Sequence, residues 1–159
     1  MLVEVFAALN DWVERENQSF RRDGLPLYRP CKIRVFGQTA LLESKIDLPL
    51  IATNDVDVYA DYEHAVQMQF EKLLKQHGKV LDPVGHEGWM PKETQYQTVY
   101  QGTHIQGQIA LADYVLLAKA IKAPQKNHQL IAAYLARGAS DMFVELAKKY
   151  NVDLEGFVK

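Results

Sequence analysis

One segment, IATNDVDVYADY over residues 51–62, leaves little conformational choice. Asp55, Asp57, Tyr59 and Asp61 alternate with Val56, Val58 and Ala60. A period of two with β-branched residues between polar ones is the pattern of a strand with one wet face. A helix would scatter the same acids around its circumference. Asp is poorly suited to strands, and acids aligned on one face repel each other. Such a strand is helped by a positive charge or a cation nearby.

Asp55 and Asp57 leave the same face with Cα atoms roughly 6.5 Å apart. That spacing lets both carboxylates converge on one hard cation. Magnesium usually takes one or two protein carboxylates and leaves its other positions to water and phosphate. The pair therefore suits a metal–nucleotide complex, although a plain half-exposed strand shows the same alternation. A calcium loop starting at Asp55 is excluded, because it needs Gly where Ala60 stands and Glu where Val66 stands.

The flanking sequence places this strand in an α+β or α/β chain with a mixed sheet. Leu2, Val5, Phe6, Leu9, Trp12 and Val13 recur at helical spacing. RRDGLPLYRP is a loop, CKIRVFG a strand ending at Gly37, and QTALLESK a short helix. After the acidic strand, EHAVQMQFEKLLKQHG reads as a helix with Ala65, Met68, Phe70, Leu73 and Leu74 inward. KVLDPVGHEGWMPKET is strand, then loop; QYQTVYQG and HIQGQIALA form a hairpin about Gly102 and Thr103. Three helices follow, interrupted at Pro124 and Gly138, the last capped by Ser140 or Asp141. The expected layout is a single domain over 1–159, with an α/β core to about 112 and a helical part over about 113–159.

The formal net charge of −2 gives no footprint for nucleic acid or an anionic membrane. Cys31 is the only cysteine, so an intrachain disulfide and a thiolate zinc site within the chain are excluded, which suits a reducing cytosol. The start, MLVEVFAALNDWVERENQSF, lacks a basic n-region and carries Glu4 and Asp11 among its apolar residues, unlike a signal peptide. No apolar run approaches the length of a membrane span. A cytoplasmic location without membrane contact is expected.

The stretch VFGQTALLESKIDLPLIATNDVDVYA adds a second chemical element ahead of the carboxylates. Gly37 lets a backbone approach a ligand closely. Gln38 and Thr39 open a helix, whose free N–H groups and dipole attract phosphate. Strand, glycine turn, helix, then T-N-D-V-D resembles the minimal nucleotidyltransferases of the DNA polymerase beta superfamily. The pattern is similar to that of small bacterial toxin–antitoxin and abortive-infection proteins. Gly37, Thr39, Ala40 and Leu41 match the family's first motif; Thr53, Asp55 and Asp57 match its second. Asp113 and Lys119 match an acid and a lysine on a later helix, and Arg137 and Asp141 echo a further pair.

The resemblance implies a nucleotidyltransferase-like mixed sheet flanked by helices, with a C-terminal helical portion. It implies Asp55 and Asp57 as catalytic metal ligands for Mg or Mn. Gly37, Gln38, Thr39, Thr53 and Lys119 would bind the nucleotide. The implied reaction moves a nucleoside monophosphate from an NTP to a hydroxyl on an RNA, a protein or a small molecule; a partner protein is a further expectation. Gln38 departs from the family's second Gly or Ser, and Ile51 from its Arg. The family's third carboxylate, usual on a later strand, is not identifiable, because no acid lies between Glu93 and Asp113. Glu87 or Glu93 would have to reach in from the neighbouring loop to stand in for it. A noncatalytic module on the same fold, binding a nucleotide or a partner, is the alternative.

In GHEGWMPKETQY, Trp89 has a flat face that stacks on a base, or it pins the loop in an apolar notch. Lys119 is read as a phosphate contact, whereas Lys122 and Lys126 are read as solvent-facing lysines near a helix C-terminus. The five histidines lack zinc-helix spacing.

Overall fold

The computed structural model describes residues 1–158. It is an α+β structure whose mixed five-stranded sheet has the order β3-β2-β1-β5-β4 and is flanked by helices. The strands are β1 (Cys31–Phe36), β2 (Asp55–Ala60), β3 (Val80–Leu81), β4 (Tyr96–Gln101) and β5 (Ile105–Ala110). The helices are α1 (Leu2–Arg22), α2 (Gly37–Ser44), α3 (His64–Gln76), α4 (Ala112–Lys122), α5 (His128–Ala136) and α6 (Asp141–Lys149). No helix among the described residues is long and apolar enough to cross a membrane.

Alternation along the strands divides the sheet into an apolar and a polar face. Ile33, Val35, Val56, Val58, Ile105 and Ile109 are buried on one face against α1 and α3. Leu2, Val5, Phe6, Leu9 and Val13 form the buried stripe of α1. Gly107 lets that helix sit down on the sheet: a Cβ there would lie 2.2 Å from the Phe6 ring. On α3 the buried positions are Val66, Phe70, Leu73 and Leu74, while Ala65 and Met68 are exposed. The inward stripe thus starts at Val66, not at Ala65; positions 66, 70, 73 and 74 follow the i, i+4, i+7, i+8 spacing, from which Met68 is turned away.

Strand directions gather the polar residues at one end. β1 runs antiparallel to β2, so Phe36 at the end of β1 is paired with Asp57 near the start of β2. β3 is parallel to β2, with Asp55 opposite Val80 and Val56 opposite Leu81. β5 is parallel to β1 and delivers the chain into α4 at this same end. α2 also begins here, with Gly37 at φ +70°, a backbone conformation that glycine adopts without a Cβ penalty. α2 and α4 pack against each other, and α4 packs on α5 and α6.

A part-buried polar knot ties the C-terminal helices together. The Asp113 carboxylate accepts hydrogen bonds from Tyr134 and from Ser140 Oγ, the latter at 2.8 Å. Ser140 in turn caps α6 by accepting from Phe143 N at 3.0 Å. Asp113 therefore fixes α4 to α5 and α6 and lies away from the strand-end cavity described next.

Candidate functional site

A cavity of about 370 Å³ opens at the strand end, between β2, the start of α2, the segment after β3 and the outer turns of α4. Asp55, Asp57 and Asp82 line one wall, and Lys119, Lys122 and Lys126 line the other. No ion pair joins these two walls among the described residues. Opposite charges therefore face one another across open space, unneutralised by direct contact.

The backbone sets the acidic wall. Asp55 and Asp57 share a face of β2 because side chains alternate along a strand. Thr39 Oγ1 donates to the Asp55 carbonyl at 2.7 Å, and Asp55 N donates to Thr53 Oγ1 at 3.2 Å. Asp82 follows the two residues of β3, and its N–H continues the ladder to Val56 O at 2.9 Å. That register brings Asp82 level with Asp57. Its Oδ1 accepts from Val84 N at 3.0 Å, an Asx turn that starts the loop towards Tyr96.

Asp57 is the most constrained of the three. Burial, then the neighbouring Asp82 charge and a hydrogen bond between the two carboxyls, push its carboxyl up to about 6. Asp55 acts in the same direction, and Lys122 opposes it. Two glycines press against this side chain. A Cβ on Gly37 would lie 2.7 Å from Asp57 Oδ2, and one on Gly85 would lie 2.8 Å from Oδ1. The carboxylate is thus seated between two backbones, with no room for a side chain on either.

On the opposite wall, burial holds the Lys119 ammonium below its ordinary value, and Lys126 and Lys122 add to the effect. Repulsion among clustered lysines is the converse of the acid problem on β2; each wall is short of a counter-charge. Lys122 Nζ donates to Trp89 O at 3.4 Å, which ties α4 to the loop after β3. Tyr59 donates from its hydroxyl to Gly88 O, and Gly88 lies against Phe36, which stacks on Tyr59 at 4.2 Å. Glu93 anchors the far end of the same loop through Lys149 at 2.5 Å and the Tyr150 hydroxyl.

Of the residues singled out from the sequence, Gly37, Gln38, Thr53, Asp55, Asp57 and Lys119 line this one cavity. Thr39 does not line it; it is buried and holds the Asp55 backbone. Trp89 and Glu93 do not line it either. Trp89 packs edge-on against Tyr150, and Glu93 is occupied by Lys149 and Tyr150. Lys122 and Lys126 are exposed, as expected, and both also border the cavity, because α4 and the turn after it run along its rim. Asp61 sits beyond the site beside Arg29, at 3.9 Å.

Asp82 joins Asp55 and Asp57 in this cavity from outside the acid-free stretch 94–112. The stretch 94–112 does lack acids, and its Gln108 is buried, accepting from Arg34 Nε at 3.1 Å and donating to Thr98 at 3.0 Å. Asp82 directly follows the short edge strand β3, next to β2. Its signal was K-V-L-D-P: two apolar residues, an acid, then a proline that ends the strand.

No group of three or more His, Cys, Asp or Glu side chains among the described residues is drawn together closely enough to enclose a metal ion. The chemistry of the acidic wall nonetheless fits a hard divalent cation. Its donors are all carboxylate oxygens, and a cation would take over the role of the proton between Asp57 and Asp82. Comparisons with protein-family models, with curated proteins and with solved structures find no match for this chain.

Proposed function

We propose that this chain is a metal-dependent nucleotidyltransferase that binds Mg–NTP and passes a nucleoside monophosphate to a hydroxyl acceptor. The observation that carries the reading is the pairing of an acidic wall with a lysine wall across one cavity, without ion pairs between them. A ligand that satisfies both walls presents a cation to one and an anion to the other. A magnesium triphosphate does so with several charges of each sign; an uncharged sugar does not, and an amino-acid zwitterion brings one charge of each sign to three aspartates and three lysines.

Asp55, Asp57 and Asp82 would hold the ion, and Lys119, Lys122 and Lys126 the phosphate oxygens. The start of α2 adds free backbone N–H groups on the same side. A divalent ion bound there supplies charge neutralisation on the phosphates and lowers the acceptor's pKa. The acceptor oxygen attacks the α-phosphorus, the bond to the β-phosphate oxygen breaks, and pyrophosphate leaves. The hydroxyl proton passes to a carboxylate oxygen of Asp82, which lies next to Asp57 and is not needed to build β2. On this reading Asp82 takes the place of the acid that the stretch 94–112 lacks, which supports the catalytic reading over the noncatalytic one.

The test is transfer of label. The protein is incubated with each α-labelled NTP, Mg or Mn, and total RNA or cell lysate. Label is expected in one acceptor fraction for wild type and in none for Asp57→Asn or Asp82→Asn. Calorimetry that finds no binding of any NTP with Mg or Mn sinks the proposal.

A further inference from the structure

A second cavity of about 420 Å³ adjoins the first. Gln38, Thr53, Lys119, Lys126 and Asn127 border both, so the two form one trough with a polar waist. The far compartment differs in chemistry. No carboxylate lines it, and its wall is the segment Pro49–Ala52 with Leu130 opposite. Ile51, on this wall, is 81% exposed, more than any other large hydrophobic residue described. An apolar side chain at that exposure on a concave rim has nothing of the chain's own covering it.

We infer that this second compartment holds the nucleoside of the NTP, with Ile51 lying against the base, while the first holds the triphosphate and its cation. The inference rests on the nucleotidyltransferase reading and extends it. A nucleotide has one uncharged part, and the trough has one compartment without acids. The order also fits: nucleoside beside Ile51, α-phosphate at the waist next to Asp55, and the remaining phosphates towards Lys122. The compartment's volume is within the usual range for small-molecule sites, about 300–1,000 Å³.

The wall is held in place from behind. Gln38 Nε2 donates to Ile51 O at 2.7 Å, and Lys79 Nζ donates to Thr53 O at 2.8 Å. This gives Gln38 a role that the family's usual Gly or Ser could not play: it fastens the loop that forms the second compartment. Asn127 spends its amide nitrogen on the carbonyls of Lys119 and Ala123. The carboxamide oxygens of Gln38 and Asn127 are therefore left as acceptors for a base amino group or a ribose hydroxyl.

The experiment compares two kinds of ligand by calorimetry on the full chain with Mg: each of the four ribonucleoside triphosphates, and inorganic tripolyphosphate. Ala52 and Ile51 are exposed, so substitution there spares the core. Ala52→Trp, which fills the compartment, is expected to weaken the best NTP about tenfold or more, and Ile51→Ala about threefold to tenfold, as loss of roughly 1 kcal/mol of apolar contact implies. Both should leave tripolyphosphate within about twofold. Asp57→Asn should weaken both ligands. If wild type binds NTP and the two variants change neither ligand, or change both equally, the nucleoside lies elsewhere. A wild type that binds tripolyphosphate as well as any NTP overturns the inference likewise. A wild type that binds neither ligand overturns the nucleotidyltransferase reading itself, and the inference falls with it.

Discussion

Asp57 shows how one side chain can be costly to the fold at the very place where the proposed site would use it. Its carboxyl titrates near 6 because burial and the Asp82 and Asp55 charges disfavour ionisation. An acid whose folded pKa is raised stabilises the fold below its unfolded value, and that contribution is lost as pH rises through the folded value. Without metal, stability should therefore fall between about pH 4 and pH 7. Asp57→Asn should unfold later in urea than wild type at about pH 8 in chelator, by on the order of 1 kcal/mol after solvent screening. The difference should vanish near pH 4. A variant no more stable than wild type at the higher pH contradicts this account. Gly85→Ala tests the same seat from its other side. Its Cβ would fall 3.0 Å from the Asp57 Cα as well as 2.8 Å from Oδ1, so the backbone has to move. A loss of about 1–3 kcal/mol in urea unfolding is expected, the range for overpacking.

At the scale of elements, periodicity made most of the fold readable, and contacts between distant segments did not. The stripe on α1, the alternation on β2 and the turn at Gly102 each follow from local spacing. The error on α3 was one of phase: the first turn offers both Ala65 and Val66, and only packing against α1 selects Val66. Asp55 and Asp57 were legible because both lie on one strand. Asp82 was not, because a strand of two residues carries almost no period, and its neighbour is set by the sheet order. Lys122 and Lys126 are exposed, as expected, but that they also border the cavity was not legible, since a lysine near a helix end looks the same over solvent or over a cavity. The loop from Pro83 to Gln95 is tied to the C-terminal helices at both Trp89 and Glu93. Glu93 fastens it to α6, and hydrogen bonds from Lys149 and Tyr150 hold its carboxyl down to about 2. A depressed acid contributes stability above its unfolded value and loses it as pH falls through the folded value. Glu93→Gln should therefore loosen the loop at neutral pH, with hydrogen exchange over residues 84–92 rising about tenfold while the amides of α1 stay unchanged. Equal exchange in both proteins would show that Glu93 does not anchor the loop.

Across the whole molecule, charge is arranged rather than merely balanced. The net charge of −2 says nothing about a nucleotide, yet the fold sets acids on β2 and after β3 against lysines on and after α4. Each wall alone is repelled by one half of the proposed ligand. ATP without a divalent ion brings phosphate towards three aspartates, and the ion without ATP leaves the lysines unpaired. Binding of the complex should thus exceed what its parts contribute separately. A ligand at a hundred times its Kd stabilises the native state by about 2.7 kcal/mol. For a chain of 159 residues that corresponds to a rise in Tm of about 5–10 °C. That rise is expected for the preferred NTP with Mg or Mn, with much smaller shifts for NTP in chelator or for the ion alone. Asp57→Asn combined with Asp82→Asn should remove the response to the complex, because the cation loses two of its three carboxylates. Lys119→Met should remove it from the other wall. An equal shift for NTP in chelator would mean that the phosphates bind without a cation, and the acidic wall would then need another explanation.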